Sequence, residues 1–189
     1  MTKPEIRTLR DAAPLAALAH PFRARMMDAL KVDGPSTASA LAARTGQAVG
    51  NASHHLKVLA AAGLVEEAPE LARDRRERWW RLVNAGTRWS SVDLEDLAAV
   101  DAAREAVALG ARRQTERVLA WLANEGSDPE WDDAAYATQT WLRVSPAELR
   151  EVAEEVMAVF ERWSDRDVPD DGAEREPVLV FSRGFPCQP

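Results

Sequence analysis

The sequence predicts a mainly α fold with small β elements, an α+β chain. Three observations carry this. Between residues 5 and 61, apolar residues recur at helical spacing in short runs separated by turn residues. Two short apolar-rich runs, Leu64-Val65 and Arg78 to Val83, flank a charged turn and read as a hairpin. The last third opens a helix with Ser145-Pro146-Ala147-Glu148, ahead of a single apolar stripe.

Taken in order, residues 5–19 read as a short helix with Leu9, Leu15, Leu18 and Ala19 apolar, and Pro14 starts or kinks its regular part. Phe22, Met26, Met27 and Leu30 mark a helix from His20 to Lys31, which Asp33-Gly34-Pro35 ends. Thr37 N-caps the next helix, with Ala38, Leu41 and Ala42 on one face, and Gly46 breaks it. A helix from Val49 to Ala61 follows, with Ala52, Leu56 and Leu59 apolar and Gly63 as its stop. The hairpin comes next, with a long basic tip that reaches Glu77, and Asn84 to Ser91 connects it to a long helix over Val92 to Asn124.

Beyond Gly126-Ser127-Asp128-Pro129, Ala135 to Val144 alternates loosely and reads as a strand. Ser145 is an N-cap, Pro146 sits at the first helical position, and Glu148 closes a capping box. Leu149, Val152, Val156, Val159, Phe160 and Trp163 form the stripe behind it. After an acidic loop from Asp165 to Glu176, Val178-Leu179-Val180-Phe181 reads as a strand covered on both faces.

The chain of 189 residues carries 24 Lys plus Arg against 31 Asp plus Glu, a net charge of −7. As a single number this argues against a nucleic-acid partner. The charge is unevenly spread, however. Residues 1–92 hold 14 basic and 9 acidic side chains, +5, whereas residues 93–189 hold 10 and 22, −12. Such asymmetry points to a basic working surface in one half, or to two domains with no shared purpose. The single cysteine, Cys187, excludes a disulfide framework and any multi-thiolate metal site. No apolar run approaches the roughly 18 residues of a membrane span, and no secretory signal follows Met1, so the expected location is cytoplasmic.

Two short helices joined at a glycine, the second followed by a basic hairpin, make a helix-turn-helix with a wing. A duplex major groove admits one helix and is read by polar side chains near that helix's N-terminus. Off the apolar face of the 49–61 helix lie Asn51, His54 and Lys57, with Gln47, Gly50 and Ser53 close by. Asn and Gln can pair bidentately with adenine, Gly50 lets the backbone approach the groove, and Lys57 suits a phosphate. The wing supplies Arg73, Arg75, Arg76 and Arg78 for the backbone or a minor groove.

On these residues the chain resembles the ArsR-type winged-helix transcriptional regulators. The matching pieces are Leu18-Ala19-His20-Pro21 with Arg23 and Arg25, Ser53-His54-His55-Leu56-Lys57-Val58-Leu59, Ala62-Gly63-Leu64-Val65, and Arg75-Arg76-Glu77-Arg78-Trp79-Trp80-Arg81-Leu82. They span roughly residues 15–83, in family order. The resemblance implies a homodimer that binds operator DNA, usually as a repressor, with Ser53, His54 and Lys57 on the recognition helix. The chain departs from the family at Gln47 and Ala48, usually an apolar residue and a capping Ser or Thr, and at Ala40, often Glu. Family metal sensors carry Cys-x-Cys before the recognition helix, or His and carboxylates on the long helix. Residues 38–44 hold no Cys and residues 92–124 no His or Cys, so no metal site and no cofactor is carried over.

The expected organisation is therefore a winged helix-turn-helix DNA-binding domain at 1–91, a dimerisation helix at 92–125, and an acidic strand-helix-strand domain at 126–189. The expected partners are double-stranded DNA, a second copy of the chain, and a small-molecule effector. Trp121, Trp131, Trp141 and Trp163, with Phe160, Phe181 and Phe185, fit an aromatic effector pocket, with Trp121, Trp141 and Trp163 as its candidate residues, or equally a core or dimer interface. Adjacent His54 and His55 point about 100° apart on a helix and do not chelate as an i, i+4 pair would. His55 reads as a packed residue or a DNA contact. A wing can also serve protein contacts, but Lys57 and the wing arginines favour DNA. No catalytic set can be assembled, so the chain does not read as an enzyme.

Overall fold

The computed structural model describes residues 6–74, 77–90, 92–94, 96–126 and 128–188. The chain divides into two compact units, Met1–Ser127 and Asp128–Pro189.

In the first unit, helices α1 (Ala12–Leu18), α2 (Pro21–Val32), α3 (Ala38–Thr45) and α4 (Val49–Ala61) follow a strand β1 (Ile6–Thr8). Local chemistry sets their ends. Pro21 pre-sets the backbone of the first α2 position, and His20 Nδ1 accepts the Phe22 N–H at 3.2 Å. Thr37 Oγ1 accepts the Ala40 N–H at 3.2 Å to start α3, and Gly46, at φ +66°, ends it in the left-handed region. Ala48 precedes α4 without a side-chain cap, as its methyl group dictates.

Three strands cover these helices. β4 (Trp79–Leu82) lies between β2 (Ser36–Thr37) and β3 (Val65–Glu67), antiparallel to both. Ser36 stands opposite Trp80, and Val65 opposite Leu82. The turn between β3 and β4 includes a 3-10 turn at Pro69–Leu71. The core of this layer joins Phe22, Met26 and Leu30 of α2, Leu41 of α3, Ala52, Leu56 and Leu59 of α4, Val65 and Trp80. Trp80, 5% exposed, is the tryptophan that fills this core.

A second cluster sits beside it. Leu9 and Leu15 pack on Ala99, Ala102 and Ala103 of the long helix α5 (Leu97–Leu122). The small alanines let α1 lie close against α5. Further along, Asp28 Oδ2 of α2 accepts from Arg113 at 2.5 Å and Arg117 at 2.6 Å, which holds the middle of α5 to the helix layer. Val107, Val118, Leu119, Trp121 and Leu122 on α5 remain exposed.

The N-terminal segment corrects the sequence reading. Residues 6–8 form a strand rather than the first turns of a 5–19 helix. They pair in parallel with β5 (Gly86–Arg88), which lies within the stretch expected to be a plain connector. Strands of three residues carry too few side chains to show a period. The long helix begins at Leu97 rather than Val92, because Asp96 Oδ1 accepts the Ala99 N–H at 2.6 Å and caps it.

The second unit corrects it further. Its helices are α6 (Pro129–Ala134), capped by Asp128, and α7 (Pro146–Ser164). The capping box forms: Glu148 N–H donates to Ser145 Oγ at 3.3 Å, and Ser145 N–H to Glu148 Oε2 at 2.6 Å. The expected strands at 135–144 and 178–181 do not form, so the unit is not strand-helix-strand. A strand exists only where a neighbour takes up its backbone groups, and neither segment has a paired partner. The apolar run from Val178 to Phe181 is exposed rather than covered. Leu149, Val152, Val156 and Phe160 on α7 are half-buried, and Gly184 passes close to Leu149.

Because Leu56 is fully enclosed, Leu56→Ala should destabilise the first unit by about 2–5 kcal/mol. Phe181→Ala, at a position 41% exposed, should cost less than about 1 kcal/mol. Urea unfolding followed by circular dichroism checks both.

Candidate nucleic-acid interface

The roll of α4 decides what it presents. Ala52, Leu56 and Leu59 are each 0% exposed, so that face is spent on the core. The residues about 100° and more around the helix then face solvent. Asn51, His54 and Lys57 are exposed, as are Gln47 and Gly50 at the helix start, while Ser53 is half-buried. The Asn51 side-chain amide donates to Gln47 Oε1 at 3.0 Å, so these two polar groups are held side by side. A Cβ added at Gly50 would meet nothing within 4 Å, so this part of the surface is open to an approaching backbone.

A cleft gathers three of the sequence-selected residues. Ser53 and Lys57 of α4 line it with Glu77, Arg78 and Trp80 of the wing. Thr37 and Ser39, at the start of α3, line the same cleft. Sequence reasoning identified Thr37 only as a helix cap. The pairing of β2 with β4 brings the α3 start beside the wing, and no local pattern in the sequence signals that contact. The α3 start, Lys57 and Arg78 around one concave surface suit an anionic partner, with the Glu77 carboxylate as an opposing charge.

The wing arginines are engaged to different degrees. Arg78 pairs with Glu67 at 3.3 Å and remains exposed. Such a surface pair is weak and gives way readily to a phosphate. Arg73 is exposed, and its backbone N–H donates to Glu77 Oε2 at 2.9 Å. That backbone bond holds the Glu77 carboxyl below its ordinary range. Arg75 and Arg76 lie outside the described residues. Arg81 was not selected; it bridges Glu66 and Glu70 and braces the hairpin base.

His55 is a packed residue. Its ring lies 4.6 Å from the His20 ring and 5.0 Å, edge to face, from Phe22. Its Nδ1 is buried without a hydrogen-bond partner among the described residues. Burial lowers the affinity of His55 for a proton, and neighbouring His20, Arg23 and His54 lower it further. His20 is lowered likewise, by burial and then by Arg23. Arg23 is fixed there by donating to the Ala17 carbonyl at 2.7 Å and the Ala16 carbonyl at 2.9 Å.

Of the candidate effector residues, Trp121 belongs to the first unit and is exposed on α5. Trp141 and Trp163 belong to the second unit, each 58% exposed, and Arg166 stacks on Trp163 at 4.7 Å. These tryptophans do not fill a core.

One family model matches part of the chain, and several solved structures are similar to it. Residues 18–68, from the end of α1 into the turn after β3, match the family model described as a helix-turn-helix domain. No curated protein matches the chain. Among solved structures, the chain is similar to the homodimeric winged helix-turn-helix DNA-binding domain of Mb0332 from Mycobacterium bovis, described as a possible ArsR-family transcriptional regulator. The identity is 22%, over 61% of this chain and 84% of that one, with a TM-score of 0.33. It is similar to an apo form of a ZitR mutant from Lactococcus lactis at 18% identity, over 77% of this chain and 83% of that one, TM-score 0.33. It is also similar to RV1404 from Mycobacterium tuberculosis at 17% identity, over 79% and 80%, TM-score 0.32. These are partial superpositions, and the winged-helix architecture rests on the chain's own α2–α4 and β2–β4 elements.

Two predictions follow from this surface. Gly50→Ala should stabilise α4 by about 0.5–1 kcal/mol, since nothing blocks the methyl group, while weakening DNA binding where the backbone must approach. Thermal unfolding and a DNA titration of the same variant separate the two effects. The second concerns pH. His20 and His55 bind protons less readily folded than unfolded, so their contribution is fully present above the unfolded value of about 6.5 and is lost as pH falls below it. Urea midpoints between pH 7.5 and 5 should decline with falling pH. His20→Asn with His55→Leu should flatten that slope, because Asn keeps an acceptor for the α2 cap.

Proposed function

We propose that the chain, through the helix-turn-helix domain it carries at residues 18–68, is a transcriptional repressor of ArsR type that binds a pseudo-palindromic operator as a homodimer. The observation that carries the DNA-binding reading is the roll of α4: its apolar side is wholly enclosed, and Asn51, His54 and Lys57 project beside an arginine-bearing wing. In this reading Gln47, Asn51 and His54 face base edges, with Ser53 at the groove wall. Lys57, Arg73 and Arg78, together with Arg75 and Arg76 in the wing tip, take the phosphate backbone.

The dimer reading is supported by the exposed apolar residues of α5, chiefly Val118, Leu119, Trp121 and Leu122, which a second copy would cover. Two-fold symmetry then spaces two α4 helices by about one DNA turn, ~34 Å. No helix among the described residues is long and apolar enough to cross a membrane, and we place the protein in the cytoplasm with its DNA.

A mobility-shift titration against fragments of the surrounding genome tests this reading. Binding should be sequence-preferring and should weaken with salt. Retention of every fragment with equal affinity, or of none, would refute it. Lys57→Ala should weaken all sequences alike and lower the salt slope by about one. Asn51→Ala with His54→Ala should relax base preference, by about 1–3 kcal/mol at each position read. Selection from a randomised duplex pool measures the latter; an unchanged consensus removes these two residues from the readout.

A further inference from the structure

The C-terminal end of α4 is held by a residue that neither the resemblance nor the sequence pattern selects. Helix ends leave their last carbonyls without intrahelical donors and carry partial negative charge. The last turn of α4 contains no basic residue to answer that charge. The Val58, Leu59 and Ala60 carbonyls accept from the Ala62, Leu64 and Gly63 N–H groups, and Arg7, on β1, brings a positive charge to the two residues that follow the helix. Its Nη1 donates to the Gly63 carbonyl at 2.8 Å and to the Ala62 carbonyl at 3.4 Å. Gly63 is suited to this twice over. Its φ of +66° disfavours any side chain, and a Cβ there would stand 2.8 Å from the Arg7 Nη1.

Arg7 is itself held by the other side of the unit. It stands opposite Thr87 in the β1–β5 ladder, and the next bond, Leu9 N–H to the Arg88 carbonyl, is 2.8 Å. Arg88 Nε donates to Thr8 Oγ1 at 3.1 Å. Leu9 is buried with Leu15 against Ala99, Ala102 and Ala103. A continuous set of contacts thus runs from the α1–α5 cluster, through β1 and Arg7, to the end of α4.

We propose that Arg7 is a positioning residue for DNA reading: it clamps the C-terminal end of α4 to the α1–α5 cluster and so sets the angle at which Gln47, Asn51 and His54 meet base edges. Arg7 acts through α4 and touches no base. The inference rests on the DNA-reading role given to α4 above. It extends that role by making base discrimination depend on the packing of α1 and α5.

The test uses the full chain with Arg7→Ala and Arg7→Lys. The first readout, taken without DNA, is hydrogen exchange at the amides of residues 60–64. The second is the ratio of affinities for a duplex selected by the wild type from a random pool and for a random-sequence duplex. Arg7→Ala should speed exchange at these amides on the order of tenfold, the effect of losing a charge-assisted bond. The affinity ratio should fall about tenfold, while affinity for the random duplex and its salt slope stay unchanged. Arg7→Lys keeps the charge and one donor, and should restore part of both. If Arg7→Ala folds poorly, Arg7→Lys carries the test, with a smaller loss in both readouts expected. Wild-type exchange and ratio in these variants, or faster exchange spread evenly over the unit with an unchanged ratio, overturns the proposal. If the wild type itself binds neither duplex, the DNA-reading role fails first, and the exchange data alone report whether the clamp exists.

Discussion

The complete burial of Ala52, Leu56 and Leu59 fixes the roll of α4 about its axis, and most of the first unit is arranged around that constraint. A helix shows about 100° per residue, so once three positions are enclosed the remaining faces have no freedom. Phe22, Met26 and Leu30 of α2, Leu41 of α3, and Val65 and Trp80 of the sheet share one core with that enclosed face. The same contacts that stabilise the core therefore aim Asn51, His54 and Lys57 outward. Stability and surface chemistry share one determinant, so a cavity at Leu56 would disturb both.

The ends of α4 are less constrained by packing than its middle, and the chain handles them differently. The N-terminal end has no side-chain cap at Ala48, which leaves its N–H groups available to an anion. The C-terminal end is closed by Gly63 and the Arg7 guanidinium. Near the middle, the His55 ring packs against His20 and, edge to face, against Phe22, and burial first, then the Arg23 charge, lowers the proton affinity of both imidazoles. His20 must be neutral to accept the Phe22 N–H, so the α2 cap and the seating of α4 share one protonation state. The charge pattern fits this division of labour, with +5 over residues 1–92 and −12 over residues 93–189. A net charge of −7 therefore says little about the surface that α4 and the wing form.

Local signals were legible where a side chain bonds its own neighbourhood. The Thr37 cap, the Gly46 and Gly63 stops, the Ser145–Glu148 box and the apolar faces of α2, α3, α4 and α7 all follow from spacings of four residues or fewer. The missed or misread elements depend on distant partners. β1 needs β5, about 80 residues on, and β2 needs β4. The segments 135–144 and 178–181 have strand-like composition but no paired neighbour, and they remain irregular. Within the candidate site, the polar residues of α4 were readable from its apolar period. The cleft shared with Thr37 and Ser39 was not, because it depends on the β2–β4 register.

By itself the sequence determined where helices start and stop, which face of each is apolar, and which polar residues α4 has to offer, because these depend on interactions within a turn or two of helix. Only the tertiary structure decided that residues 6–8 leave the helix for a ladder, and that Trp80 rather than the later tryptophans fills the core. It also decided that Arg7 closes α4 from 56 residues away. Such contacts are long-range: their partners are chosen by which surfaces the folded layers bring within a few ångströms, and no periodicity along the chain records that choice.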